Sequence, residues 1–389
     1  MPSPQMRSCW PQGGLGSHRR ACYFSRVGRG SGSRLCRERP LPERPAMLLQ
    51  HPMTAASPPR IPPLGGTAHR PRFSVMVPTF EPDEKLGAAL ESVLRQAESA
   101  ADMQIAVVDD GSTPGHVERL VRSLDRSGRI EVFANDRRLG LAGNWNRSIA
   151  LARGQLVHLL HQDDSVLPGF YAAIDRGFRS APDVGMAFCR SRIIDDCGRR
   201  MKTTSRQQWL PGVLANWLVT IAERQRIQTP AAVVARSTYE SVGGYRPELC
   251  HALDWEMWVR IAAGHRVWYE PRALANYRRH VANETSRLFA SGAVWPDMAR
   301  ALRINATMLP DSLRASTTAA SVRWHAASAI RTAERQLAAG ASDAAAATLR
   351  AIPDLLEVLS GQPVSGVASR RLASLRSRLR QEAPTKRAA

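Results

Sequence analysis

The sequence lacks several features that define common protein classes. It has six cysteines but no CxxC pair, so neither a zinc site nor a disulfide framework is indicated. We therefore expect free thiols in a reducing compartment. No apolar run is long and uncharged enough to cross a bilayer, and no apolar signal-peptide core is present. A GxGxxG phosphate loop is missing after the first predicted strand, which disfavours a dinucleotide-binding dehydrogenase.

Basic residues outnumber acidic residues at both ends of the chain, whose formal net charge is +20. Residues 1–70 contain 11 arginines but only two acidic residues, and they are rich in Pro, Gly and Ser. This composition predicts a disordered basic tail and resembles that of a transit peptide; alternatively, translation starts at Met47 or Met53. Because the excess charge lies mainly at the ends of the chain, we do not expect a nucleic-acid partner.

Three short apolar runs predict buried strands that end in polar or acidic turns. They begin at Phe73, Gln104 and Leu156. Helical spacing of apolar residues between the first two predicts an amphipathic helix with one buried face, formed by Leu86, Leu90, Val93 and Leu94. Such alternation is typical of a parallel sheet with crossover helices. The three turns are therefore expected at one edge of the sheet, where open α/β sheets bind their ligands.

The third run ends in two adjacent aspartates, Asp163 and Asp164, within LVHLLHQDDSVLPG. Two carboxylates this close disfavour each other's ionisation unless a cation lies between them. A hard divalent ion that bridges a diphosphate would compensate both charges. The alternative for this dipeptide is a solvated turn.

Five segments together resemble the inverting family 2 glycosyltransferases of the GT-A fold. In chain order they are FSVMVPTFEP, IAVVDDGST, NDRRLGLAGNWNRSIALARG, LLHQDDSVLPGFY, and VGGYRPEL followed by LDWEMWVRI. The resemblance implies an α/β fold, the GT-A nucleotide-diphospho-sugar transferase fold with a mostly parallel central sheet, over residues 71–288. Residues 289–389, rich in Ala, Arg and Leu, are expected to form a C-terminal α-helical extension.

The resemblance also assigns the donor site. The residues expected to bind the nucleotide sugar are Thr79, Glu81, Asp109, Asp110, Asp163 and Arg278. A carboxylate among them can accept a hydrogen bond from a pyrimidine N–H, and such a site rejects analogues that lack the donor. For Asp109 the structural alternative is an Asx turn onto the backbone of Gly111 or Ser112.

The expected cofactor is Mn²⁺ or Mg²⁺, held by Asp164, Asp163 and His280. In many relatives an aspartate lies two residues before the Asp163 position, where this sequence has His161. We interpret His161 as a polar residue at a strand end. His280 has an alternative as a surface histidine beside two arginines.

The resemblance places the catalytic base at Asp254. The chemistry requires a carboxylate that takes the proton of an acceptor hydroxyl as that hydroxyl attacks the anomeric carbon from the opposite face. The alternative role of Asp254 is an N-cap, worth about 1 kcal/mol. Leu253 replaces an acidic residue that usually precedes the base.

These expectations describe a metal-dependent inverting enzyme that moves a single sugar from a nucleotide sugar to a hydroxyl of a glycan or lipid-linked acceptor. Cell-surface polysaccharide biosynthesis in the cytoplasm is the expected setting. Because Leu253 and His161 replace acids, a catalytically degenerate nucleotide-sugar-binding protein of the same fold is the alternative. The last predicted helix is basic and carries Arg370, Arg371, Arg376, Arg378 and Arg380. This helix could contact the inner face of an anionic membrane, or its basic face could be solvated.

Overall fold

The computed structural model describes residues 56–65, 70–97, 99–181, 183–280, 284–358, 373–375 and 377. The predictions for residues 1–55, and most of the basic helix predicted around residues 370–380, lie outside these ranges. No helix within them is both long and apolar enough to cross a membrane.

Ten strands of the described chain form one sheet. They are β1 (Phe73–Thr79), β2 (Met103–Asp109), β3 (Ile130–Ala134), β4 (Leu156–Leu159), β5 (Ser165–Val166), β6 (Val184–Ile194), β7 (Arg200–Thr203), β8 (Gly212–Val213), β9 (Ala232–Ala235) and β10 (Arg266–Arg278). The helices are α1 (Lys85–Leu94), α2 (His116–Leu124), α3 (Gly140–Leu151), α4 (Phe170–Ser180), α5 (Trp217–Glu223), α6 (Arg236–Val242), α7 (Leu253–Gly264), α8 (Glu284–Ser291), α9 (Val294–Thr307), α10 (Asp311–Ala338) and α11 (Ser342–Glu357).

The strand order is β3-β2-β1-β4-β9-β6-β10-β5, with β7 beside β6 and β8 beside β10. The longest pairings, such as β1 with β2 and β6 with β10, are parallel. The antiparallel strand β9 lies between β4 and β6 and makes the sheet mixed. The expected α/β class with an open central sheet is confirmed.

The first strands form because both faces of the sheet are covered. Every residue of β1 and β2 is buried, as expected for parallel strands between helical layers. Val75 and Val77 share one core with the apolar face of α1. Met76 points the other way, into a second core with Trp145 and Ile149 of α3.

The C-terminal helices confirm the predicted helical extension and share a core with the sheet domain. Trp295 of α9, Ile330 of α10 and Ile352 of α11 belong to the same buried cluster as Trp255 and Trp258 of α7. The extension is therefore packed directly against the helix that carries the predicted base.

Residues 56–65 fall within the predicted basic tail, but they pack on the domain. The side chain of Ile61 is buried, and the Gly244 N–H donates to the Pro59 carbonyl at 2.7 Å. Buried Arg236 donates to the Pro62 carbonyl at 3.1 Å. The tail boundary predicted at residue 70 is therefore too late, because these carbonyls and the Ile61 side chain complete the packing around α6.

We expect Ile61→Ala to lower the free energy of unfolding by about 2–4 kcal/mol, because it removes buried methyl groups and leaves a cavity. Chemical denaturation measures the change. Arg60→Ala, at an exposed neighbouring position, is the control and should change stability by less than about 0.5 kcal/mol. Equal stability of the two variants would show that this segment does not contribute to the core.

Candidate active site

The turn after β4 brings a histidine and two aspartates together. One potential ligand atom each from His161, Asp163 and Asp164 lies within 4.8 Å of the others. Asp164 is only 1% exposed, and its Oδ1 accepts the Arg278 backbone N–H at 2.8 Å. Its Oδ2 is buried without a hydrogen-bond partner. An unpartnered buried carboxylate oxygen is expensive unless a charge compensates it.

The electrostatics of this cluster favour a cation. Burial and the charge of Asp163 raise the pKa of Asp164 to about 6. Burial opposes protonation of His161, but the carboxylates around it, with Asp164 foremost, raise the pKa of its imidazole. The His161 Nε2 atom is also buried and without a hydrogen-bond partner. Two carboxylates and an imidazole with unsatisfied atoms fit a divalent ion such as Mn²⁺.

The other predicted residues of this region lie beside the cluster and contact it. The His280 Nε2 atom lies 2.9 Å from Asp163 Oδ2, so His280 orients a candidate ligand. The Arg278 guanidinium donates to the backbone carbonyls of Asp163, Asp195 and Asp196 at 2.9–3.1 Å. Arg278 therefore ties the end of β10 to the acidic turn, and its contact with the donor stays a prediction.

Asp254 lies in the first turn of α7, one residue after the helix begins. Its Oδ1 accepts the Trp255 N–H at 2.6 Å, and its Oδ2 accepts the Thr229 hydroxyl at 3.4 Å. Burial raises the pKa of this carboxyl to about 6. A carboxylate with a raised pKa is better matched to proton abstraction near neutral pH than an exposed one.

Asp254 shares one site with the acidic turn. The pKa of His161 responds to both Asp164 and Asp254. The same is true of Tyr277 on β10, whose pKa is raised to about 12 by burial and by the charges of Asp164, Asp254 and Asp163. Contacts link the two regions as well: Asp254 accepts the Thr229 hydroxyl, and the carbonyl of the next residue, Pro230, lies 3.0 Å from His158 Nε2 on β4, the strand that leads into the acidic turn. The predicted base therefore lies near the predicted metal-binding carboxylates.

The start of α7 is held by Asp297 of α9, which the sequence analysis did not identify. Its buried carboxylate accepts the backbone N–H groups of Cys250, His251 and Ala252 at 2.8–3.1 Å. These bonds satisfy donors just before the helix begins, where a negative charge is favourable. The backbone before α7 is thus held by Asp297, whereas Asp254 accepts one N–H inside the first turn, that of Trp255.

Glu256, the other acid at the start of α7, is committed to structure. It is fully buried and forms ion pairs with Arg246 at 3.0 Å and Arg260 at 2.7 Å. Both of its oxygens are thus engaged by guanidinium groups, and it is not available to an acceptor hydroxyl. Asp254 is therefore the better candidate base on this helix.

The acids at the end of β2 are engaged in local structure. The Asp109 carboxylate accepts the Ser112 N–H at 3.2 Å and also the Ser112 hydroxyl, which is the Asx turn considered as its alternative. Asp110 accepts the N–H groups of Leu139 at 2.7 Å and Gly140 at 2.9 Å. Asp110 thus fixes the N-terminus of α3.

Two further predicted donor residues lie at the end of β1, next to β2. The Glu81 carboxylate accepts the Thr113 N–H at 2.9 Å, and the φ of Glu81 is 43°, in the left-handed region. Its N–H donates to Ser112. The buried Thr79 hydroxyl has no partner. Among Thr79, Glu81, Asp109 and Asp110, which were predicted to bind the nucleotide sugar, Thr79 is therefore the residue with a buried polar atom that lacks a hydrogen bond.

Three residues of the site escaped prediction: His161 as a member of the cluster, Tyr277, and Asp297. Only His161 had a usable signal, because it stands at a position where relatives carry an aspartate. Tyr277 and Asp297 lie more than 100 residues from the acidic turn in sequence, and no local pattern connects them to it.

An open, mixed α/β sheet with acidic turns at one edge and a carboxylate at a nearby helix start is an arrangement that nucleotide-sugar transferases use. Residues 74–236 match the sequence model of the family described as "Glycosyl transferase family 2". The match supports a family 2 glycosyltransferase domain of the GT-A fold in this part of the chain, as the sequence resemblance predicted.

Relatives extend this likeness over more of the chain. The uncharacterised protein MT1568 of Mycobacterium tuberculosis is 29% identical over 268 residues, 66% of this chain and 82% of that protein. The GalNAc(5)-diNAcBac-PP-undecaprenol beta-1,3-glucosyltransferase of Campylobacter jejuni is 35% identical over 101 residues, 25% of this chain and 32% of that enzyme. The latter match is thus confined to about a third of the relative.

A solved structure shows the same fold. Residues 1–349 of TarS from S. aureus, in complex with UDP-GlcNAc, align with a TM-score of 0.58 at 14% identity, covering 80% of this chain and 89% of that one. The aligned share exceeds that of the family match, so the fold likeness continues beyond residue 236.

We expect Asp297→Ala to lower the free energy of unfolding by about 3 kcal/mol, because three backbone N–H groups lose a charged acceptor. Transfer activity at a temperature where the variant is folded should also fall, since the start of α7 is released. Denaturation and steady-state kinetics measure the two effects. Asp311→Ala, which removes an aspartate from the first turn of the next helix, is the matched control and should leave both unchanged.

Proposed function

We propose that this protein is a metal-dependent inverting glycosyltransferase that moves one sugar from a nucleotide sugar to a hydroxyl of a glycan or lipid-linked acceptor. The observation that carries the proposal is the shared site of Asp254 and the cluster of His161, Asp163 and Asp164. A diphosphate needs a cation, and an acceptor hydroxyl needs a base. This site supplies residues for both.

Asp164 and Asp163 would hold the metal ion, with His161 as a third candidate ligand and His280 orienting Asp163. When bound, Mn²⁺ or Mg²⁺ neutralises the charge that develops on the leaving nucleotide diphosphate. The unpartnered Asp164 Oδ2 and the raised pKa of Asp164 support this assignment. No separate protein acid is then needed for the leaving group.

Asp254 acts as the general base. It takes the proton of the acceptor hydroxyl while the hydroxyl oxygen forms a bond to the anomeric carbon and the bond to the diphosphate breaks. A single displacement from the opposite face inverts the anomeric centre. The Trp255 N–H and the Thr229 hydroxyl hold the carboxylate in place without neutralising it.

The acceptor class is inferred from the relatives. The Campylobacter relative is named for transfer to an undecaprenol-linked glycan. We infer that this protein likewise extends a lipid-linked or polymeric glycan in the biosynthesis of a cell-surface polysaccharide. The absence of a membrane-spanning helix from the described ranges is compatible with an enzyme that meets such an acceptor at a membrane surface.

Replacement of Asp164 by Asn should abolish the divalent-dependent part of nucleotide binding, because the diphosphate then lacks its compensating ion. Calorimetric titration of UDP and GDP with and without Mn²⁺ measures this part directly. Asp183→Asn, which changes an exposed acid paired with Arg266, is the control. If the Asp164 variant kept the metal dependence of the native protein, the metal assignment would be wrong.

For Asp254→Asn we expect nucleotide affinity to persist while the transfer rate falls by about 10²–10⁴, the usual contribution of a positioned base. The pKa of Asp254 is about 6, so the native kcat should rise with pH through about 6 and then level off.

Because the pKa of Asp254 in the folded protein lies above its ordinary value, the charged form of this carboxyl opposes folding at neutral pH. The variant should therefore be at least as stable as the native protein.

Glu256→Gln on the same helix is the comparison for this experiment. It breaks two buried ion pairs and should reduce stability by about 3 kcal/mol or more. Near-normal transfer by a folded Asp254→Asn variant would remove Asp254 from the mechanism.

A further inference from the structure

One segment presents the most exposed large apolar side chains found in the described chain. Trp209 is 79% exposed, Leu210 75% and Met201 60%, whereas the remaining exposed large hydrophobic side chains lie at 37–40%. All three belong to residues 199–211, which comprise β7 and the loop that follows it; we call this the β7 segment. Clustered apolar exposure of this kind marks an interaction surface.

The same segment is strongly basic. It contains Arg199, Arg200, Lys202 and Arg206 and no acidic residue, and these four side chains lie on exposed positions. Arg199 is paired with Asp195 of the preceding turn at 2.8 Å, so the charge of Arg199 is compensated within the protein. The Arg206 guanidinium lies 4.3 Å from the centroid of the Trp209 ring. A positive charge beside an exposed indole and leucine is the composition that favours a bilayer interface.

The β7 segment is anchored to the sheet, and its apolar side chains are therefore displayed on a fixed support. The Thr204 N–H donates to the Ser191 carbonyl at 2.9 Å, and the Arg190 guanidinium donates to the Thr204 carbonyl at 2.9 Å. The Gln207 N–H donates to the Tyr269 hydroxyl at 3.1 Å. These bonds fix both sides of the segment to β6 and β10.

The two ends of the segment lie at different ends of β10. The turn that precedes the segment supplies the carbonyls of Asp195 and Asp196 to Arg278, whose backbone N–H holds Asp164. The far end of the segment, with Trp209 and Leu210, lies near Tyr269 at the start of β10. Only the beginning of the β7 segment therefore adjoins the candidate active site.

We propose that the β7 segment docks the protein on an anionic lipid bilayer, with Trp209 and Leu210 in the interface and Arg200, Lys202 and Arg206 on the lipid headgroups. Each cation near such a surface contributes about 1 kcal/mol, and the indole and leucine add apolar burial that salt does not screen. The docking stands independently of the proposed function. Docking would bring the active site to a lipid-linked acceptor only if the protein is also the glycosyltransferase proposed above.

Cosedimentation of the full chain with phosphatidylcholine vesicles, with and without 30% phosphatidylglycerol, tests the proposal. The ends of the chain are basic as well, so point variants of the intact protein are compared. We expect Trp209→Ser/Leu210→Ser and Lys202→Gln/Arg206→Gln each to weaken binding to the anionic vesicles by about tenfold or more. Neutral vesicles should bind the native protein poorly.

Two matched controls isolate the segment. Trp324→Ser removes another exposed indole with an arginine nearby, Arg224 at 5.5 Å. Arg119→Gln/Arg122→Gln removes two exposed cations from α2. Both controls should bind vesicles as the native protein does. Losses in the controls equal to those in the segment variants would mean that binding reflects only total charge or apolar exposure, and would overturn the proposal.

Brominated lipids give a readout of insertion that electrostatic attachment does not produce. They should quench part of the tryptophan fluorescence of the native protein, and Trp209→Phe should lose that part. If the Trp209→Ser/Leu210→Ser variant bound vesicles as the native protein does, the bilayer would be rejected as the partner. This holds whether or not the variant binds a glycan acceptor more weakly. Calorimetric binding of UDP by each variant shows separately whether the donor site is intact.

Discussion

The burial of the Asp164 carboxylate is the constraint on which the rest of the site depends. A carboxylate removed from water beside a second carboxylate is costly, and the fold compensates only one of its oxygens, through the Arg278 backbone N–H. The second oxygen makes no hydrogen bond and lies 3.5 Å from the imidazole Nδ1 atom of His161. The backbone of β10 at Arg278 and the imidazole of His161 thus lie against this charge, and His280 contacts the neighbouring Asp163.

The helical extension contributes to the active site although it carries none of the reacting groups. Asp297 of α9 fixes the backbone before α7, and His325 of α10 packs on the Trp255 ring with centroids 4.8 Å apart. A base is effective only when its position relative to the acceptor is fixed. The extension and the sheet domain therefore work as one unit in placing Asp254.

Acidic residues at strand ends have two different roles in this fold. Asp109 and Asp110 accept backbone N–H groups that no helix or strand satisfies, and they shape the turns after β2. Asp164 and Asp254 are buried carboxylates whose pKa burial raises to about 6 in each case. Adjacent aspartates look alike in sequence, and the different surroundings of each one arise only from the tertiary structure.

The sequence by itself determined the α/β class and the first strands and helices, and it singled out Asp163, Asp164 and Asp254 as candidate site residues, because hydrophobic periodicity and local motifs act over short distances. Tertiary structure alone decided that Asp297 caps α7, that Glu256 is paired with Arg246 and Arg260, and that Arg278 binds carbonyls. It also decided that residues 56–65 belong to the folded domain. Each of these contacts joins residues brought together only by packing, since hydrogen bonds and ion pairs depend on distance in space and leave no periodic pattern along the chain.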